Sequence, residues 1–195
     1  MTITLLGATG FVGSAILKEA LDRGHAITAI VRDPAKVTQH DRLAVKVGDI
    51  YDAHGLAALI KGNEAVISAF NPGLKDPNLY DDQVRGTSTI IAAFKEAAVR
   101  RVLWVGGAGG LEDGSGKRLV DGVNFPKAIK AGSLATINAL EQLQAEPELD
   151  WSYLSPSAEM KPGLRTGKFR LGKERLLVDS NGKSSISVQD FAMAM

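Results

Sequence analysis

The first two dozen residues constrain this chain more than any other stretch. Thr2-Ile3-Thr4-Leu5-Leu6 is a short apolar, β-branched run that breaks into Gly7-Ala8-Thr9-Gly10-Phe11-Val12-Gly13, and a helical pattern follows at once. A buried strand entering so tight a turn needs backbone angles that a side chain forbids, and Gly7 permits them. Gly10 lets the main chain come close to a bound group, and Gly13 lets the new helix pack against the strand. Val12, Ile16 and Ala20, with Leu17 and Leu21, recur at helical spacing and give that helix a face to bury. Gly24 stands where a helix C′ glycine belongs. The free N–H groups and positive dipole end of such a helix suit a phosphate. A glycine triplet alone arises by chance. With a strand before it and a helix behind it, this one reads as a dinucleotide site in which Gly7, Ala8, Thr9, Gly10, Phe11 and Val12 surround the pyrophosphate.

Composition narrows the class. At 195 residues and 45% hydrophobic, the chain reads as a single domain, with residues 155–195 as a small substrate-side extension of it. A formal net charge of +1 argues against nucleic acid as an obligatory partner. With no cysteine there is no disulfide framework, thiol nucleophile or cysteine metal site. His25, His40 and His54 lie far apart without metal-ligand spacing, so no metal is expected. The chain opens directly on a strand pattern and has no apolar run of membrane-spanning length, which reads as a soluble cytoplasmic protein, monomer or homodimer.

Further along, apolar runs alternate with helical patterns. Strands are predicted at Ala26 to Val31, Leu43 to Val47, Ala65 to Phe70, Val102 to Val105 and Trp151 to Leu154. Helices are predicted from Asp52 to Ile60, through Val84, Thr87, Ile91, Phe94 and Ala98, and through Leu134, Ile137, Leu140 and Leu143. This alternation specifies an α/β fold with a doubly wound parallel sheet and right-handed crossovers. Past Ser155 the pattern weakens. Arg175 to Val178 and Ser184 to Ser187 are predicted as short strands about the turn Ser180-Asn181-Gly182, and Ser187 as the cap of a last helix. In a doubly wound sheet, ligands sit at the carboxyl ends of strands beside the switch in strand order. The turns at Gly7 to Gly13, Arg32, Asp49, Phe70-Asn71, Gly106 to Gly110 and Ser155-Pro156 all fall at such ends, which points to one shared cleft.

The Gly7 to Gly13 turn, Val31-Arg32-Asp33-Pro34, Gly48-Asp49-Ile50, Arg101 to Gly109, Asp150 to Pro156 and Ile186 to Ala192 together resemble the atypical short-chain dehydrogenase/reductases. The nearest resemblance is to the NAD(P)H-binding subgroup described as NADH-flavin reductases, related to biliverdin reductase B and NmrA-like proteins. It implies a Rossmann fold and a nicotinamide dinucleotide cofactor. Typical short-chain dehydrogenases use a Tyr-x-x-x-Lys pair, and here none of Tyr51, Tyr80 and Tyr153 has a lysine four residues on. Gly107 and Ala108 stand where a catalytic serine is expected. The resemblance therefore implies hydride transfer to a flavin, quinone or similar planar acceptor, which asks little acid chemistry of the protein. The alternative is a non-catalytic NmrA-like sensor of the NADP(H) pool.

Individual residues follow from this frame. Arg32 ends the second strand where an acidic residue would hold a ribose 2′-hydroxyl, and an arginine there suits a 2′-phosphate, favouring NADP(H) over NAD(H). The competing reading is a surface arginine beside Asp33. Asp49 and Ile50 are candidates for the adenine, with a plain turn aspartate as the other reading. Ala69 and Phe70 are expected along the ribose and diphosphate, and Gly106 and Gly107 toward the nicotinamide. Lys130 and Ser155 are candidates beside the acceptor. Arg165, Lys168, Arg170 and Lys173 form a basic loop that faces either an anion or plain solvent.

Overall fold

The computed structural model describes residues 1–195. Six parallel strands form the central sheet in the order β3-β2-β1-β4-β5-β6. They are β1 (Thr2–Leu6), β2 (Ala26–Val31), β3 (Leu43–Val47), β4 (Ala65–Ser68), β5 (Arg101–Val105) and β6 (Asp150–Leu154). The intervening helices are α1 (Phe11–Asp22), α2 (Ala53–Ile60), α3 (Leu79–Glu96) and α4 (Lys127–Gln144). The predicted doubly wound α/β architecture is the observed one. Strand order reverses between β1 and β4, so the crevice at their carboxyl ends is the place for a ligand.

Why the sheet closes as it does follows from which strands are covered twice. β1 and β4 are buried along nearly their whole length, and their mostly apolar content, with Thr4 and Ser68 as the buried polar exceptions, is what two covered faces require. One face packs Leu6, Val66, Val102 and Trp104 against α2, α3 and α4, with Trp104 edge-on to Phe94 at 6.4 Å between ring centroids. The other face packs Ile3, Leu5 and Ile67 against Ile16, Ala20 and Leu21 of α1. α1 ends in a paired-turn cap: Gly24, at φ +86°, donates to the Leu21 carbonyl, and His25 to that of Ala20.

Boundaries differ from the sequence expectation in two places. β4 stops at Ser68. Ala69 still donates to Leu6, but Asn71-Pro72-Gly73 turns the chain away, leaving Ala69 and Phe70 over the crevice. α3 begins at Leu79, ahead of Val84 where its apolar periodicity is first read, and the Asp81-Asp82 pair expected at its N-terminus stands in its first turn. The predicted strand at Arg175 to Val178 is not a strand. Its backbone docks only on Glu112, which donates to the Glu174 carbonyl while Leu176 donates back to Glu112, and one residue cannot extend a ladder. Ser185–Ser187 does form a strand, β8, paired in parallel with the short β7 (Glu159–Lys161). Ser187 caps the last helix, α5 (Val188–Ala194), accepting from the Asp190 N–H at 3.0 Å.

The C-terminal segment is pinned to the sheet domain through α1. Glu19 is buried and receives a two-pronged guanidinium from Arg165 at 2.7 and 2.8 Å, plus the Arg23 side chain at 2.7 Å. Arg23 also reaches the Met193 carbonyl. Asp190 accepts from the N–H groups of Thr166 and Gly167 and from the Thr166 hydroxyl, tying the same loop to α5. The Arg165 hydrogen bonds, reinforced by Arg23, outweigh burial and hold the Glu19 carboxyl down at about 2, against an ordinary 4.5. A depressed carboxyl contributes stability that is complete above its unfolded value and lost as pH falls through the folded one. Both guanidiniums are about half exposed, so the contribution is on the order of 1–2 kcal/mol. Glu19→Gln is expected to lower the denaturation free energy by that amount at neutral pH. The deficit relative to wild type should shrink between pH 4.5 and pH 2, as read by urea melts across that range. A deficit independent of pH would show that the lost contribution is packing rather than charge.

Candidate dinucleotide site

The glycine turn shapes the site from the backbone outward. Gly7 adopts φ +79°, and a Cβ on it would strike the Ala69 carbonyl, so the turn lies directly against the end of β4. A Cβ on Gly13 would strike the Gly7 carbonyl, so α1 starts flush against the same turn. Gly10 differs: its φ is −79°, and an added Cβ would meet only the Gly7 carbonyl at 3.3 Å. The absence of a side chain at Gly10 therefore keeps a space clear, whereas at Gly7 and Gly13 it permits packing.

At the mouth of α1 the N–H groups are free. No side chain caps the helix and no acidic residue stands in its first turn. The amides of Phe11, Val12 and Gly13 have no acceptor within the protein. By contrast, α2 is capped by the Asp52 carboxylate, which accepts from Gly55 at 3.0 Å. Unpaired amides, a positive dipole end and a cradle with no Cβ form a ready binding place for a diphosphate.

These groups open onto a cleft of about 670 Å³ at the switch point. Gly7, Thr9, Gly10, Phe11, Val12, Arg32, Asp49, Ile50, Ala69, Phe70 and Gly106 all line it. Arg32 is exposed at the end of β2 and takes part in no ion pair. The neighbouring Asp33 is engaged elsewhere, accepting from the Ala35 N–H and lying 3.5 Å from Lys36. Asp49 accepts from the Tyr51 N–H at 2.9 Å, which fixes the turn that carries Ile50. Tyr51 stands edge-on to Phe70, with centroids 6.1 Å apart, and the Arg85 guanidinium lies 4.0 Å above the Tyr51 ring.

Four expected site residues fall outside the cleft. Ala8 is buried in the core beneath the turn. The Gly107 N–H is spent on the Tyr153 hydroxyl at 3.3 Å, and its Cα faces Thr136, so it serves to seat α4. Lys130 is exposed on the first turns of α4. It lies six residues before Thr136, which does face the cleft, and so is turned about 120° round the helix from it. Ser155 lines a smaller neighbouring cavity instead.

Other cleft residues escaped sequence reasoning. Pro72, Gly73 and Leu74 continue the rim that the Phe70-Asn71 turn begins, and their place just after β4 was a usable signal. Thr136 and Met160 come from distant elements and left no sequence signal. Tyr153 stands just outside the cleft, its ring packed against Gly106. It is mostly buried, donates to the Thr136 carbonyl at 2.7 Å and accepts from Gly107. Burial pushes its hydroxyl up to about 12, so it stays protonated and occupied at neutral pH.

Comparison with known proteins agrees with this geometry. A family model described as NAD(P)H-binding matches residues 7–195. The chain is 37% identical to YwnB of Bacillus subtilis, an uncharacterized protein, with 100% of this chain and 90% of that one covered. Among solved structures, a Bacteroides thetaiotaomicron protein provisionally called an epimerase is 46% identical, with a TM-score of 0.92 over 100% of this chain and 88% of that one. A Streptococcus pneumoniae protein provisionally called an NADH-flavin reductase is 30% identical, with a TM-score of 0.86 over 100% and 90%.

The two kinds of glycine separate experimentally. Gly10→Val should keep a near-wild-type melting temperature yet lose dinucleotide binding by more than ~10-fold, because the new side chain enters the phosphate space. Gly13→Ala should instead destabilise the fold by about 1–3 kcal/mol, because backbone must move to admit the methyl. Thermal melts and cofactor titrations of both variants provide the check, and an unchanged affinity in Gly10→Val would move the site elsewhere.

Proposed function

The chain belongs to the NAD(P)H-binding family, and from that premise we propose that it is an oxidoreductase using NADPH to reduce a flavin, quinone or similar planar acceptor. The cofactor supplies a hydride when bound. The chain's own residues hold it: Phe11, Val12 and Gly13 amides at the diphosphate, Arg32 at the 2′-phosphate, and Asp49 with Ile50 at the adenine. The observation that carries the choice of acceptor is the state of Tyr153. Its hydroxyl is committed to Thr136 and Gly107 and pushed up to about 12, and no lysine stands four residues on to lower it. A carbonyl acceptor needs a proton donor at the developing alkoxide, a contribution of roughly 10²–10⁴-fold. A flavin or quinone delocalises the incoming charge and takes its proton from water. The name carried by the Streptococcus pneumoniae relative supports this reading. The epimerase name of the Bacteroides relative does not transfer so readily, since sugar epimerisation through a bound nicotinamide also calls for a proton relay.

The same locked tyrosine favours one second reading: a sensor that binds NADPH and turns nothing over. NADPH oxidation measured with FMN, riboflavin, menadione and cyclohexanone separates the two. Turnover is expected with the flavins or the quinone and not with the ketone. Tight NADPH binding without oxidation by any acceptor would leave the sensor.

Cofactor choice is tested at Arg32. A charge-assisted contact to a 2′-phosphate contributes about 1.5–3 kcal/mol, and an exposed arginine sits at the low end, roughly tenfold in affinity. Wild type should therefore bind NADPH about tenfold more tightly than NADH, and less so as salt rises. Arg32→Ala should lose that preference while NADH affinity stays, and Arg32→Asp should reverse it. Calorimetric titration reads both, and equal wild-type affinities would make Arg32 an ordinary surface residue.

A further inference from the structure

Beside the cleft lies a second cavity of about 100 Å³, between the carboxyl end of β6 and the loop that joins β7 to β8. Tyr153 is the partition between the two spaces. It lines the cavity, while its ring packs against Gly106 of the cleft so closely that Gly106 has no room for a side chain. The cavity wall is largely apolar, with Phe169, Ile186 and Phe191 contributing, and its charged residues are all cations: Arg170, Lys173 and Arg175. No carboxylate lines it.

The structure sorts the basic residues of this segment by what each already holds. Arg165 is bound to Glu19, and Arg170 donates to the Val178 carbonyl at 2.8 Å. The side chains of Lys173 and Arg175 have no hydrogen bond and no ion pair. Lys173 and Arg175 are both exposed, and they flank an apolar-walled space with no carboxylate among its lining residues, which favours a negative group there. The volume suits an anionic head group and falls well below the roughly 300 Å³ at which pockets begin to enclose a whole ring system.

We propose that this cavity is an anion subsite, in which Lys173 and Arg175 hold the phosphate or carboxylate tail of an acceptor whose ring lies on the Gly106 side of Tyr153. The inference rests on the oxidoreductase reading and narrows it to acceptors that carry a negative tail. Arg165 does a different job in the same segment, anchoring the loop so that the two free cations stay over the cavity.

FMN and riboflavin share one ring and differ in a terminal phosphate, which makes them the probes. With NADP⁺ saturating, quenching of flavin fluorescence should give FMN an affinity about tenfold above riboflavin at low salt, with the gap closing as salt is added. A Lys173→Ala/Arg175→Ala double variant that melts like wild type should lose the preference. Equal wild-type affinities, or a double variant that still prefers FMN, would overturn the subsite. NADPH oxidation in the same samples keeps the two readings apart. If riboflavin binds and is reduced as readily as FMN, hydride transfer stands and the subsite falls. If FMN is preferred through Lys173 and Arg175 yet neither flavin nor menadione is reduced, the subsite stands and the oxidoreductase reading falls.

Discussion

The close approach of three backbone segments, at Gly7, Gly13 and Ala69, governs the rest of the structure. The turn after β1 lies so tightly against the end of β4 and the start of α1 that neither Gly7 nor Gly13 has room for a Cβ. That contact sets how near α1 comes to the sheet, which places Ile16, Ala20 and Leu21 against Ile3 and Leu5. It also points the uncapped amides of Phe11, Val12 and Gly13 into the crevice where strand order reverses. One steric constraint thus fixes both the packing of a helix and the place where its uncapped N-terminus opens.

A second dependence runs through Tyr153. Its hydroxyl joins β6, the α4 backbone and the Gly106-Gly107 loop, so the tyrosine that might have been an acid is instead a structural tie. The same ring separates the cleft from the cavity under the C-terminal loop. The loop over that cavity has almost no regular structure of its own, and Glu19 and Asp190 hold it through Arg165, Thr166 and Gly167. Burial pushes the Asp190 carboxyl up, but the donors around it prevail and hold it below the ordinary range. Two carboxylates thereby do for this segment what a sheet ladder does for the core.

Some of this was written in local sequence. The parallel sheet was legible because β1, β2 and β4 are largely buried and so carry mostly apolar residues. The glycine turn was legible because strand, turn and helix are contiguous, and each glycine has a separate local reason to be there. Caps such as Gly24 and Ser187 were equally local, since a cap answers only to the ends of its own helix. The start of helix α3 was legible in the same way, since the Asp81-Asp82 pair complements the dipole of its own first turn.

Only the tertiary structure decided which residues share the cleft. Thr136 faces it and Lys130 does not because α4 meets the sheet at one rotation, which sequence periodicity leaves open. Whether Tyr153 was an acid or a tie depended on Thr136 and Gly107, seventeen and forty-six residues away. The basic loop could be read only as basic. Its division into Arg165 on Glu19, Arg170 on Val178, and the free Lys173 beside Arg175 depends on partners up to 146 residues distant. Sequence alone determined the fold and the phosphate-binding turn, because local sterics and burial dictate both. The roles of tyrosine, lysine and arginine were left to the folded chain, because a long polar side chain acts through whatever group packing brings within reach.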